Sequence, residues 1–108
     1  MDGASWLSSY SSGLPMHLLL ADAGYQVFIG NNRGTEYSQG HETLTVDDPE
    51  FWQWTWGEMG IYDGVANIRM MKERTGADKV FYIGYSQGNV QMFYALTKLE
   101  ESFFADNL

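Results

Sequence analysis

Two short runs of β-branched and aromatic residues place the strongest constraint on the fold of this 108-residue chain. "YQVFIG" (Tyr25–Gly30) and "DKVFYIG" (Asp78–Gly84) have the length and composition of buried strands, and each ends at a glycine. A long segment with a helical pattern separates them. Because parallel strands need a crossover of this kind, the two runs are predicted to be parallel strands of one sheet.

Helical patterns precede, separate and follow the two runs. The middle one begins at a capping box, in which Thr55 is the N-cap and Glu58 stands at the third helical position. The sequence predicts helices over Leu14–Ala23, from Thr55 to a stop at Gly76, and from Gln87 to about Leu99. The order helix, strand, helix, strand, helix indicates an α/β domain with two parallel strands and three flanking helices.

Charge and composition exclude several classes of partner. The net charge of −8 argues against nucleic acid, because binding phosphates needs clustered Lys and Arg and the chain has only six. The absence of cysteine rules out disulfides and thiolate metal sites, and no spacing of His, Asp or Glu suggests a metal site. No cofactor is expected. The first residues lack the pattern of a signal peptide, no apolar stretch is long enough to span a bilayer, and the compartment stays open.

The pattern G-x-S-x-G follows the second predicted strand. It comprises Gly84, Ser86 and Gly88, with Tyr85 and Gln87 between them. A serine in this pattern sits on a strained strand-to-helix bend, where side chains in place of the two glycines would clash with it, and its hydroxyl projects as a nucleophile. The backbone N–H of Gln87, at the positive end of the helix, is placed to stabilise an oxyanion. The pattern also fits a tight strand-to-helix turn with a capping serine.

A catalytic serine needs a histidine base and a carboxylate that orients the base. The two histidines, His17 and His41, both precede Ser86, whereas hydrolases with this bend have the order Ser, Asp or Glu, His. His17 is expected on or partly within the first helix, and His41 in the polar loop after the first strand. The acids after Ser86 are Glu100, Glu101 and Asp106. The triad therefore cannot be completed in that order within these residues.

The aromatic cluster "FWQWTW" (Phe51–Trp56) admits two interpretations. It could line a lipid site, but packing between a helix start and the sheet is favoured for large aromatic side chains at such a place. Asp47, Asp48 and Glu50 precede this cluster and are expected to be solvated loop charges.

Several longer segments resemble the acid lipase family of α/β-hydrolases, which includes gastric and lysosomal acid lipases and fungal steryl ester hydrolases. They are "LLLADAGYQVFIGNNRGTEYS", "FWQWTWGEMGIYDGVANI" and "RTGADKVFYIGYSQG" with the helix beyond it. The resemblance runs from about Trp6 to Leu96. Two positions depart from the family's pattern, since Tyr85 replaces a histidine and Gly64-Val65 stands where Leu-Pro is usual.

The resemblance implies a serine ester hydrolase of lipid catabolism, acting on neutral lipids such as triacylglycerols or steryl esters at a lipid–water interface. Ser86 is similar to the family's nucleophile, and Gln87 to the residue whose backbone N–H forms half of the oxyanion hole. The loop "GNNRG" (Gly30–Gly34), followed by Tyr37 and His41, resembles a loop beside the active site with a structural role. Family members are secreted, lysosomal or lipid-associated.

The same resemblance implies that parts of the fold lie outside these residues. The segment with the other oxyanion donor should precede residue 1, and the triad acid, the histidine and the cap should follow residue 108. The third strand of the family's sheet, which lies between the two predicted strands, should also be elsewhere. Residues 1–108 are therefore expected to be a partial α/β-hydrolase domain that carries the nucleophile elbow and turns over little substrate alone.

Two alternatives stay open. One is a non-catalytic remnant that acts as an interaction module, for which a fluorophosphonate probe should not label the serine. The other is a flavodoxin-like binding domain in which the "GNNRG" loop binds an anion. The second alternative is weaker, because an anion-binding loop should open directly into a helix and a long polar stretch follows this one.

Overall fold

The computed structural model describes residues 6–7 and 13–108, and the regular structure of these residues is helical. In chain order they form α1 (Met16–Asp22), a 3-10 helix (Pro49–Trp52), α2 (Trp56–Glu58), a π-helical segment (Met59–Gly64), α3 (Val65–Thr75), α4 (Gln87–Lys98) and α5 (Glu101–Asn107). The chain runs through α2, the π-helical segment and α3 without a break, because Glu58 and Val65 at the two junctions keep right-handed helical dihedral angles.

The three predicted helices are confirmed. At the start of α2 the hydroxyl of Thr55 accepts a hydrogen bond from the N–H of Gly57 (3.1 Å), and the Glu58 carboxylate accepts one from the N–H of Thr55 (2.8 Å). Gly76 ends α3 with a φ of 71°, in the left-handed conformation that glycine adopts at low steric cost. These local signals fixed the boundaries of the longest helical run.

Helix α5 is an element that the sequence did not predict. The N–H of Val80 donates to the carbonyl of Asn107 (2.9 Å), and the ammonium group of Lys72 donates to the carbonyl of Asp106 (3.0 Å). The same ammonium group reaches the side-chain oxygen of Asn107 at 2.8 Å. A helix of seven residues is marginal by itself, so these tertiary bonds at its C-terminal end stabilise it.

The two predicted parallel strands are not formed. Residues 25–30 and 78–84 carry no strand in the described part of the chain, and the structure shows no backbone hydrogen bond between them there. A strand needs a neighbour for its ladder of hydrogen bonds, and each run lacks one at the required distance. Residues of both runs instead line one cleft of about 800 Å³, together with Ile68 and Met71 of α3.

The buried core lies where α4 packs against the π-helical segment. Its apolar side chains are Phe51, Met59, Ile68 and Ala95. The two helical backbones approach so closely at Gly60 that a Cβ atom there would lie 2.4 Å from the carbonyl oxygen of Gln91. This contact holds the N-terminal half of α4, and with it the residues of the G-x-S-x-G pattern, against the longest helical run.

Much apolar surface remains uncovered around the cleft. Phe81 is 83% exposed and Tyr25 is 53% exposed, and their rings meet edge to face at 6.1 Å. The accessible surface of the chain is 7596 Å², whereas a compact monomer of this mass exposes about 6,100 Å². The core around α4 is therefore packed, and the face formed by the two extended runs is open.

Candidate active site

Ser86 occupies a strained bend at the start of α4. Its φ is 51° and its ψ is −113°, and no other non-glycine residue in the described ranges has a positive φ. The bend is closed by hydrogen bonds from the N–H of Gly88 to the carbonyl of Tyr85 (2.9 Å) and from the N–H of Asn89 to the carbonyl of Ser86 (3.0 Å). A conformation of this kind costs about 1–3 kcal/mol and persists only where the surroundings enforce it.

The hydroxyl of Ser86 does not cap the helix. Ser86 stands at the N-cap position of α4, but its side chain makes no capping hydrogen bond, and the residue is exposed. A capping serine would instead accept a hydrogen bond from the second or third N–H of the helix. The geometry therefore favours the nucleophile interpretation over the capping one.

The two glycines of the pattern differ in their steric roles. A Cβ atom on Gly84 would lie 2.5 Å from the side-chain oxygen and 3.0 Å from the backbone nitrogen of Asn89. The expected clash is thus with the returning helix rather than with Ser86. A Cβ atom on Gly88 would lie 3.5 Å from the hydroxyl of Tyr82, which is ordinary contact. Of these two glycines, Gly84 is sterically required and Gly88 is not.

The backbone N–H of Gln87 is available at the helix N-terminus. It is the first N–H of a 12-residue helix, and such groups have no acceptor within their own helix. Nothing in the described ranges accepts a hydrogen bond from it. The helix dipole adds a favourable potential for a negative charge at this end. The group therefore fits the role of an oxyanion donor.

The structure brings neither histidine into a hydrogen bond with Ser86 within residues 13–108. The Nδ1 atom of His41 accepts hydrogen bonds from the N–H groups of Thr43 (3.1 Å) and Leu44 (3.0 Å), and its ring packs edge to face on Phe51 at 6.1 Å. His41 thus stabilises its own loop. His17 borders the cleft, and its buried Nδ1 has no hydrogen-bond partner in the described structure.

The "GNNRG" loop is closed by its own contacts. Arg33 donates from its backbone N–H (2.9 Å) and from its guanidinium group (2.7 Å) to the carboxylate of Asp63 in the π-helical segment. The N–H of Gly34 donates to the carbonyl of Ser38 (2.8 Å), and the N–H of Thr35 donates to that of Asn32 (3.3 Å). Three amides that an anion would need are therefore occupied, which disfavours the flavodoxin-like alternative.

A partly buried polar network centred on the buried side chain of Gln91 lies beneath the bend. Asn32 donates from its side-chain nitrogen to Oε1 of Gln91 (2.7 Å), and Nε2 of Gln91 donates to the hydroxyl of Tyr82 (3.3 Å). That hydroxyl donates to the carbonyl of Gly88 (2.8 Å). Burial raises the pKa of Tyr82, although the Gln91 hydrogen bond acts in the opposite direction, so the phenol keeps its proton at neutral pH.

Sequence reasoning missed this network. The available signal was a polar residue on an apolar helix face, since Gln91 precedes the buried Ala95 by one helical turn and is itself only 7% exposed. Its partners could not be read from the sequence, because Asn32 is 59 positions away.

The aromatic cluster packs on itself. Phe51 is buried, and its ring meets that of Trp52 at 4.9 Å, while Trp52 and Trp54 lie 5.9 Å apart. The indole N–H groups of Trp52 and Trp54 donate to the carbonyls of Val46 (2.9 Å) and Phe51 (2.7 Å). These contacts favour packing over a lipid site, but the rings pack on one another and not between a helix start and a sheet, since the described residues form no strand.

One of the expected solvated charges has a structural role. The carboxylate of Asp48 accepts hydrogen bonds from the backbone N–H (2.7 Å) and the hydroxyl (2.9 Å) of Thr45. These bonds, the backbone one first, lower the pKa of Asp48 below its usual value. Asp47 and Glu50 are exposed, as expected.

The described residues show neither a metal site nor a membrane-spanning helix. No group of three or more His, Asp or Glu side chains in them is arranged to hold a metal ion. None of the helices in that part of the chain has the length and apolar character needed to cross a membrane.

The sequence of residues 3–103 matches the family model for the alpha/beta hydrolase fold. The chain therefore belongs to the α/β-hydrolase family, in which a serine on a strained bend before a helix is the typical nucleophile. This assignment confirms the expected fold class at the level of the family, whereas the two-strand detail is not observed.

Within that family the chain is similar to lipases. It is 39% identical over 100 residues to lipase member M of Mus musculus, covering 93% of this chain and 24% of that protein. It is 37% identical over 100 residues to human lysosomal acid lipase/cholesteryl ester hydrolase, covering 93% of this chain and 25% of that protein. It is 47% identical over 85 residues to lipase lipl-5 of Caenorhabditis elegans, covering 79% of this chain and 21% of that protein. The chain thus spans about a quarter of the length of these relatives.

Proposed function

We propose that this chain carries the nucleophile of a serine ester hydrolase that cleaves carboxylic esters of neutral lipids. The observation that carries the proposal is the strained conformation of Ser86, with a free hydroxyl at the N-terminus of α4. The substrate class is supported by the names of the relatives, one of which is a lysosomal acid lipase/cholesteryl ester hydrolase. Triacylglycerols and steryl esters, met at a lipid–water interface, are the proposed substrates.

In the proposed reaction Ser86 Oγ attacks the ester carbonyl carbon, and its proton passes to a base. The carbonyl oxygen becomes an oxyanion that accepts a hydrogen bond from the N–H of Gln87. Collapse of this intermediate releases the alcohol, which takes up the proton, and leaves an acyl group on Ser86. Water then repeats the sequence and frees the acid. The base and its carboxylate are proposed to come from sequence outside these 108 residues.

We also propose that the two extended runs become parallel strands when a third strand lies between them. Residues 25–30 and 79–85 line the same cleft, and Phe81 and Tyr25 on them are exposed. A strand in the cleft would pair with both runs and cover these side chains. Residues 1–108 are then the nucleophile-elbow portion of a larger hydrolase domain. A 108-residue product that is monomeric in sedimentation and unfolds cooperatively in urea would contradict this proposal.

The catalytic proposal is tested by Ser86→Ala in the protein at its full natural length. Hydrolysis of a short soluble ester should fall by at least about 1,000-fold, because the nucleophile is removed and only binding and the oxyanion hole remain. A fluorophosphonate probe should label the parent protein and not the variant. Ser102→Ala changes an exposed serine of α5 and should leave both measurements unchanged.

Either of two results would overturn the nucleophile assignment. Retained activity in Ser86→Ala would place the chemistry elsewhere. A parent protein that is folded but neither hydrolyses esters nor reacts with the probe would instead support the non-catalytic interaction module.

A further inference from the structure

The hydrogen bonds beneath the bend link the segment before Ser86 to the helix after it. Tyr82 lies four residues before Ser86, in the run that enters the bend, and Gly88 lies two residues after it, in the first turn of α4. The 2.8 Å hydrogen bond from the Tyr82 hydroxyl to the Gly88 carbonyl therefore spans the strained residue. This bond restrains the bend from relaxing to an unstrained turn.

The direction of every hydrogen bond in the network follows from its neighbours. A carbonyl oxygen only accepts, so the Tyr82 hydroxyl must donate to Gly88. Gln91 must then present its nitrogen to Tyr82, because the hydroxyl has already used its one hydrogen. That orientation turns Oε1 of Gln91 toward Asn32, whose side-chain nitrogen donates to it and also approaches the sulfur of Met59 at 3.5 Å. A change at one member therefore disturbs the whole network.

The burial of Gln91 makes the network costly to leave incomplete. The residue is 7% exposed and lies where α4 meets the π-helical segment. An amide at such a position loses its hydrogen bonds to water, so both of its ends need partners from the protein. Asn32 and Tyr82 supply one partner to each end. Protein groups, and not bulk water, therefore hold both ends of the Gln91 amide.

We propose that Gln91, acting with Asn32 through Tyr82, is a positioning residue for the nucleophile. It holds the Tyr82 hydroxyl in place, the hydroxyl holds Gly88, and the bend between them keeps Ser86 and the N–H of Gln87 in the reactive geometry. This inference rests on the proposed esterase function. Gln91 itself does not touch the substrate.

The test uses Tyr82→Phe and Gln91→Met in the protein at its full natural length. Both variants keep the volume of the side chain and remove the polar group. We expect kcat for a short soluble ester, and the rate at which a fluorophosphonate labels Ser86, to fall by about 10- to 100-fold, with KM changed less than about twofold. The reason is that the nucleophile and oxyanion donor are misplaced while the substrate site is unaltered.

A matched control and a double variant separate positioning from stability. Tyr94→Phe removes a hydroxyl from the same helix for which the described structure shows no hydrogen bond, and it should leave kcat unchanged. Tyr82→Phe combined with Gln91→Met should cost no more in kcat than the worse single variant, because both act through one hydrogen bond to Gly88. If the two substitutions only damaged the structure independently, their effects on kcat would instead add.

The outcomes distinguish this inference from the function on which it rests. If Ser86→Ala retains activity, the proposed function fails. If Ser86→Ala is inactive but folded Tyr82→Phe keeps kcat and labelling within about twofold of the parent, the positioning role is wrong and the function stands. If Gln91→Met does not fold, Tyr82→Phe decides alone, since it keeps the ring in its place.

Discussion

Arg33 and Asp63 form a two-point contact between the loop after the first extended run and the π-helical segment. The guanidinium group reaches the carboxylate at 2.7 Å, and the backbone N–H of Arg33 reaches it at 2.9 Å. The side chain of Asp63 is 13% exposed, and the Arg33 guanidinium carbon lies 5.7 Å from the ring centre of Tyr62. The contact fixes the loop that presents Asn32 to Gln91.

Asp63→Ala should lower the free energy of unfolding by about 1–3 kcal/mol, because it removes charge-assisted hydrogen bonds from a largely covered carboxylate. Urea unfolding of the protein at its full natural length, followed by fluorescence, measures the change. Asp47→Ala, at an exposed loop carboxylate, serves as the control and should stay within about 0.5 kcal/mol of the parent. Equal effects from the two substitutions would contradict a specific role for the ion pair.

Gly60→Ala should destabilise the protein through a backbone clash. The new Cβ atom would lie 2.4 Å from the carbonyl oxygen of Gln91, so α4 and the π-helical segment would have to separate. Overpacking of this kind costs about 1–3 kcal/mol, and thermal unfolding of the protein at its full natural length should show a lower Tm. At Gly40 a Cβ atom meets nothing within 4 Å, so Gly40→Ala should leave Tm nearly unchanged. An unchanged Tm in Gly60→Ala would show that the two helices can move apart freely.

The capping box at Thr55 should make stability depend on acid pH. Hydrogen bonds from Thr55, the side-chain one first, hold the pKa of Glu58 below its usual value of 4.5. A carboxyl group with a lowered pKa contributes stability that is present above the usual value and is lost as the pH falls through the lowered one. Glu58→Gln should therefore flatten the loss of stability below about pH 4.5.

Thr55→Val provides the companion measurement, since it removes the hydroxyl that bonds to Glu58 at 2.7 Å. Unfolding of the full-length protein in urea at a series of pH values should show part of the flattening seen in Glu58→Gln, because the backbone N–H of residue 55 still donates to Glu58. If the loss of stability at acid pH is identical in the parent and in both variants, this pH dependence does not come from the capping box.

Phe81 should become a buried residue in the protein at its full natural length. It is 83% exposed in this structure, on the run proposed to pair with a third strand. Phe81→Ala should then cost about 3–5 kcal/mol of unfolding free energy, the usual cost for a buried phenylalanine. Tyr37→Ala, at a loop residue that is 67% exposed, should cost about 0.5 kcal/mol or less. Similar small effects at both positions would indicate that the cleft stays open.

The sequence was a reliable guide where the signal was local. The helical run begins at the capping box of Thr55 and Glu58 and ends at the left-handed Gly76. Each signal involves residues only a few positions apart, so both ends could be predicted from the sequence. The bend at Ser86 was likewise predicted from five consecutive residues, although its glycines act differently than expected. Gly84 makes room for Asn89 rather than for the serine.

Local signals were insufficient where a residue needs a distant partner. Residues 25–30 and 78–84 have strand composition, but a strand forms only when a neighbour completes its hydrogen bonds, and no described segment does so. Helix α5 was missed for a related reason, because bonds from Lys72 and Val80 stabilise it across the chain. The tertiary structure alone decided these elements.

By itself, the sequence determined the ends of the helical run from Thr55 to Gly76, the bend around Ser86 and the lipase-like family, because each depends on residues close together in the chain. The tertiary structure decided that the Ser86 hydroxyl makes no cap, that His41 serves its own loop, and that Asn32, Gln91 and Tyr82 meet beneath the bend. Those facts depend on which groups the folded chain brings within hydrogen-bond distance. Sequence spacing does not specify that distance for residues 59 positions apart.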